Sequence, residues 1–236
     1  MEGLTPVNLV QFGTILLAAL VHASLQLGLG ALLLLYHASL GKHIKKKTKQ
    51  LASNYILGVT LLTVLIVSTA AFIIGTITSS SLSVEALAII VGILLMLAII
   101  IWFFYYRTRR STELWLPKSV ARYIGTRAKL TESNTEAFSL GMLSSLAEIP
   151  FSIVLMILAG NSILGLPINL QIFAVLLYTF IAILPLFILR FSIRRGNTVV
   201  DVQKWRMKNK EFLKVMTGVG FMTLALFIIG FRILGG

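Results

Sequence analysis

Six apolar stretches, near residues 9–39, 54–77, 84–106, 138–160, 170–191 and 213–234, constrain this chain more than any other feature. Each is long enough to cross about 30 Å of hydrocarbon as a helix. Inside a bilayer every backbone N–H and C=O must be satisfied within its own segment or within a closed barrel, so runs of this length imply helices. The composition agrees: 57% of the 236 residues are hydrophobic, 12% are charged, and mean hydropathy is +0.93. The first stretch lacks a basic leader and is about twice the length of a signal peptide's apolar region, so a retained span is expected. The expected fold class is therefore all-α and integral to a membrane, with six transmembrane helices.

The net charge of +13 does not point to nucleic acid, because of where the charge lies. Five lysines fall between Lys42 and Lys49, seven basic residues between Arg107 and Lys129, and eight between Arg190 and Lys214. Only Arg232 stands elsewhere, and the loops near 78–83 and 161–169 carry no Lys or Arg. Cationic loops are retained on the cytoplasmic side, so the alternation predicts both termini outside the cytoplasmic membrane of a prokaryote. The same clusters would attract anionic lipid head groups. No readout element for nucleic acid is visible, and no nucleic-acid partner is expected.

Three spans followed by three more place the second half in the membrane with opposite topology, which predicts two inverted three-helix repeats. Their limits are residues 1–110 and 138–236, joined by a cytoplasmic linker at 111–137. Within the linker, Trp115, Leu116, Val120, Tyr123 and Ile124 interleave with Lys118, Arg122, Arg127 and Lys129. That pattern predicts a short interfacial helix over 117–130, with Pro117 in its first turn. Ser133 and Glu136 have capping-box spacing at the start of the fourth span.

A shift of 126 positions aligns Phe12, Leu17, Leu20 and His22 with Phe138, Leu143, Leu146 and Glu148. The two titratable residues at membrane depth thus occupy corresponding places in the two halves. An ionisable side chain there costs several kcal/mol, which makes it a functional candidate by default. Small polar residues accompany the pair: Ser24 and Gln26 in the first half, Ser144, Ser145 and Ser152 in the second. Ser144 and Ser152 lie at i−4 and i+4 from Glu148, on its helical face. Each half also carries helix-weakening residues just beyond its titratable group, Gly28 and Gly30 after His22 and Pro150 after Glu148.

The absence of cysteine excludes disulfides, thiolate metal sites and thiol redox chemistry. The chain has no Ser–His–Asp order, no intramembrane aspartate pair and no HExxH motif, so no enzyme activity and no cofactor are expected. Imidazole plus carboxylate suits zinc, manganese or nickel, but two ligands are too few to define a metal site. A His–Glu pair can interconvert between neutral and ion-paired forms by moving one proton. The expected function is a proton-coupled secondary transporter or exporter of a small solute or cation, with its site at the midplane between repeats. A homodimer is an allowed assembly. The alternative is a non-transporting scaffold or assembly factor acting through its basic cytoplasmic loops, for which a midplane titratable pair has no use.

Phe12 and Gly13, the polar break at 22–28, and YHASLGKHIKKKTKQLASNYILGV with Gly41 and Gly58 resemble the LysE superfamily of exporters. The resemblance implies six spans in two inverted halves. The CcdA and DsbD electron carriers of that superfamily place a proline-flanked cysteine at equivalent points of the first and fourth helices. Here His22 and Glu148 stand at those points, and Pro150 keeps the flanking proline. Without cysteine, electron transfer is not implied. Without the Pro-Gly-Pro break of amino-acid exporters, their substrate is not implied either.

Overall fold

The computed structural model describes residues 6–25, 32–33, 35–36, 45–78, 81–104, 118–194 and 199–235. Gln26, Gly28 and Gly30 lie outside the described residues, as do Gly41 and most of the second half of the first predicted span. Every regular element among the described residues is helical: α1 (Pro6–Leu25), α2 (Lys45–Thr78), α3 (Val84–Phe104), α4 (Lys118–Leu130), α5 (Asn134–Leu164), α6 (Ile168–Arg194), α7 (Val199–Lys208) and α8 (Lys210–Ile228). A π-helical turn, Ile229–Ile233, extends α8. Among the described residues six helices are long and apolar enough to cross a membrane: α1, α2, α3, α5, α6, and α8 with its π turn.

Hydropathy marks only the apolar part of each helix. α2 starts at Lys45, because Lys, Gln, Leu and Ala are all good helix formers and carry the helix into the basic run. α7 has no sequence counterpart above: its VVDVQKWRMK segment is polar and weakly amphipathic, and it reads as loop. α5 begins with a full capping box. Ser133 Oγ accepts from the Glu136 N–H at 3.2 Å, and the Glu136 carboxylate accepts from the N–H groups of Glu132 and Ser133 at 2.8 and 3.1 Å. Pro150 does not break this helix, which continues unassigned to any other element through Leu164. Proline removes one backbone donor, and Pro150 is exposed on the surface of the bundle.

The central contact is α2 against α5, running parallel and almost backbone to backbone. A Cβ built on Gly58 would fall 2.1 Å from the Phe138 carbonyl oxygen, and one on Gly141 would fall 2.1 Å from that of Tyr55. Further along, a Cβ on Gly160 would meet the Ala71 backbone nitrogen at 2.8 Å. Small residues permit such an approach, and dispersion over the closely matched surfaces holds it. α1 packs on α5, α6 and α8, while α3 packs chiefly on α8. Most of these contacts join the first three long helices to the last three, and α5 also packs on α6.

Two apolar clusters fill the bundle. One gathers Ile15, Ala18, Leu94, Leu155, Tyr178 and Phe221, and the other gathers Leu51, Tyr55, Ile124, Leu140 and Leu186. The helix directions bring the start of α2, the end of α3, α4, the start of α5, the end of α6 and the start of α8 to one end of the molecule. That end carries the basic residues. α4 lies there with Ile124 and Ala128 buried and Arg122, Arg127 and Lys129 exposed. At the opposite end Arg232, the basic residue outside the clusters, is held internally. Its Nη1 donates to Gln11 Oε1 at 2.7 Å and to Ser162 Oγ at 3.1 Å. Asn161 Oδ1 accepts from the Leu82 N–H at 2.8 Å, tying the start of α3 to α5.

Candidate functional site

His22 and Glu148 meet in the middle of the bundle, at the seam between the two apolar clusters. His22 lies one turn before the end of the described part of α1, and Glu148 near the centre of α5. Their side chains approach to 3.7 Å (Nε2 to Oε2), and the two residues are 5% and 7% exposed. The separation exceeds a hydrogen bond, so the pair is close enough for electrostatic coupling but needs a small closure, or one bridging water, to exchange a proton. Burial at this level strengthens whatever charge interaction the pair has.

Tyr178 of α6 completes the His22 environment. Its hydroxyl lies 3.0 Å from His22 Nδ1, and the rings sit 5.8 Å apart. When the phenol donates to Nδ1, the imidazole proton must reside on Nε2, facing Glu148. When His22 is doubly protonated, Nδ1 donates to the phenol oxygen instead. Tyr178 therefore accommodates both protonation states without breaking the contact. A second buried phenol, Tyr55 of α2, hydrogen-bonds with Ser144 and lies within electrostatic reach of Glu148. Both tyrosines are fully buried.

A cavity of about 20 Å³ adjoins the pair, lined among others by Thr63, Ser145, Ala182, Ile183 and Pro185. A volume of roughly 10–15 Å³ by this measure admits one water, so the space suits a single water-sized particle and no organic solute. Pro185 lacks the N–H that would otherwise bond the Ile181 carbonyl, leaving an acceptor without its helical donor beside this space.

The small polar residues divide. Ser145 lines the cavity. Ser144 donates to the Leu140 carbonyl at 2.9 Å and reaches Tyr55. Ser152 is buried on the Glu148 face, but its Oγ donates to the Glu148 backbone carbonyl at 3.1 Å. Ser24 donates to the Val21 carbonyl at 2.6 Å and takes no part in the lining. Thr63 and Tyr55 are the additions that sequence reasoning missed: a threonine and a tyrosine within an apolar span carry no charge to mark them. Among the described residues no group of three His, Asp or Glu side chains could hold a metal ion.

Comparison with protein-family models, with curated proteins and with solved structures gave no match.

Proposed function

We propose that the chain is a secondary membrane transporter of a small solute or cation, in which the His22–Glu148 pair carries the coupling proton. The observation that carries this reading is a carboxylate and an imidazole, almost fully buried and 3.7 Å apart, beside a space the size of one water. A scaffold gains nothing from such a pair, and a buried charge pair is seldom a net source of stability. The many exposed large apolar side chains, among them Phe72, Ile77, Ile89, Ile172 and Phe173, are more than a water-facing surface tolerates and support a bilayer around the bundle.

The contact network supports inverted repeats. Exchanging the halves takes α1 to α5, α2 to α6 and α3 to α8. The α1–α5, α2–α6 and α3–α8 interfaces then map onto themselves, α1–α6 exchanges with α2–α5, and α1–α8 with α3–α5. His22 and Glu148 stand on the self-mapping α1–α5 interface, where a pseudo-twofold axis would pass. Alternating access in such a fold is a rocking of one repeat against the other around the shared site. The resemblance to the LysE superfamily of exporters fits the same reading. The small cavity would hold the coupling particle, and a solute site would open in another conformer.

A carboxyl group that titrates inside the bundle has a direct signature. Acidifying the reconstituted protein from roughly pH 9 to pH 3, a range bracketing the ordinary Glu and His values, is expected to produce an infrared carboxyl band that Glu148→Gln lacks. A spectrum identical in the wild type and in that variant would remove Glu148 as the proton carrier.

With the basic end taken as cytoplasmic, single cysteines at Ser81 and Ile168 should react with an impermeant maleimide on intact cells. Cysteines at Lys47 and Ser119 should react only after lysis. The parent chain has no cysteine, so the background is zero. The reverse pattern would invert the orientation.

A further inference from the structure

A groove of about 490 Å³ runs between α2 and α6 on the outside of the bundle, away from the polar end network. Its walls are two helical stripes. On α6 they include Leu176, Phe180, Ile183 and Phe187, ending at Arg190; on α2 they include Leu57 and Val64, beginning at Ser53. The α6 stripe covers about 21 Å at 1.5 Å per residue. That is somewhat more than one leaflet's share, about 15 Å, of the hydrocarbon thickness.

The body of the groove offers hydrocarbon contact and almost no free donors. The hydroxyls of Ser53, Thr60 and Thr179 each donate to their own helix, to the carbonyls of Lys49, Ile56 and Val175 at 2.8, 2.7 and 2.9 Å. Charge is confined to one end. Arg190 is half-buried there and pairs with no described carboxylate. Helical spacing continues the α2 wall from Ser53 back to Lys49 and Lys46, both exposed. An apolar slot of leaflet depth with a cationic mouth at the interface matches the shape and charge of a lipid, not of a polar solute.

We infer that this groove is a binding site for an anionic phospholipid of the leaflet on the basic side, one acyl chain lying between α2 and α6 and the phosphate on Arg190. Arg suits the phosphate because its planar fork donates two parallel hydrogen bonds. The inference requires the chain to sit in a bilayer but not to transport anything. It does reach the candidate site: Ile183 lines both the groove and the His22–Glu148 cavity, so a bound chain rests against the outer side of that cavity's wall.

The test is native mass spectrometry of the full chain released from detergent, with dioleoyl phosphatidylglycerol and dioleoyl phosphatidylcholine as probes. The two share acyl chains and differ in head-group charge. Wild type is expected to retain one phosphatidylglycerol at activation energies that strip phosphatidylcholine. Arg190→Gln should bind phosphatidylglycerol about tenfold more weakly, the effect of losing one charged hydrogen-bond partner, and Arg190→Lys should recover part of it. Thr60→Trp fills the groove and should reduce retention of both lipids. Equal retention of the two lipids by wild type, or an unchanged preference in Arg190→Gln, overturns the site. A dimer peak that Thr60→Trp abolishes would assign the groove to a second copy of the chain, and that too overturns it.

Discussion

Gly58→Ala and Gly141→Ala are each expected to destabilise the protein by about 3 kcal/mol, the upper part of the range for overpacking a tight interior. For a chain of this size that lowers the thermal midpoint by roughly 6–12 °C. The cause is geometric. Each added methyl carbon would fall 2.1 Å from a carbonyl oxygen of the facing helix, and a backbone cannot swing aside as a side chain can. The helices must part, which loosens the whole α2–α5 interface. Because either methyl already forces that separation, the double variant should cost clearly less than the sum of the two. Gly92→Ala is the control: a Cβ there meets nothing within 4 Å, and replacing a helical glycine should be neutral or mildly stabilising. Thermal unfolding in detergent reads the four variants against wild type. Equal midpoints for the Gly58 and Gly92 variants would mean that α2 and α5 do not touch backbone to backbone.

If the His22–Glu148 pair carries a coupling proton as proposed, Glu148→Gln should abolish proton-coupled flux while leaving protein level and thermal midpoint near wild type. The amide keeps the size and hydrogen-bonding capacity of the carboxyl but carries no exchangeable charge. Replacing a buried carboxyl by a neutral amide of the same shape removes a charge whose desolvation costs stability, so the fold should not suffer. Glu148→Leu should also be inactive, and it separates the proton from mere packing: retained coupled flux in both variants would refute the mechanism. Tyr178→Phe removes the hydroxyl 3.0 Å from His22 Nδ1 without changing the ring. A residue that only packs would leave the pH profile of activity where it was. A residue that positions the imidazole proton should displace the profile, because one of the two forms of His22 loses its partner. Proteoliposomes containing a pH dye, challenged with a panel of cations and amino acids, give the measurement.

The six long helices could be read from the chain because hydrocarbon thickness sets a minimum apolar length and charge marks the ends. His22 and Glu148 could be read as well, because a titratable group in an apolar span is costly enough to stand out. Which side chains they would bond could not. Tyr178 reaches His22 across 156 residues of sequence, and Tyr55 meets Ser144 from another helix; a tyrosine in a span has no signature until its neighbour is known. The serines near Glu148 were visible as a group, but helical spacing could not tell which would line the cavity. Ser145 does, whereas Ser24 and Ser152 spend their hydroxyl protons on their own helices. Gly58 and Gly141 illustrate the same limit: glycine is common in membrane helices, and only their encounter makes either one obligatory. α7 escaped notice because nothing periodic distinguishes it from a basic loop.

The cross-half packing bears on how such a chain comes to exist at all. Among the described residues, helices α1, α2 and α3 have their principal partners among α5, α6 and α8. If the chain enters a bilayer as it is made, the first three helices wait there without their principal partners while the ribosome is still making the second half. The α2 glycine facet stays open until α5 arrives. A nick in the connector between α3 and α4 after assembly would leave the bundle whole. A stop codon at the same place would leave α1, α2 and α3 without their principal partners.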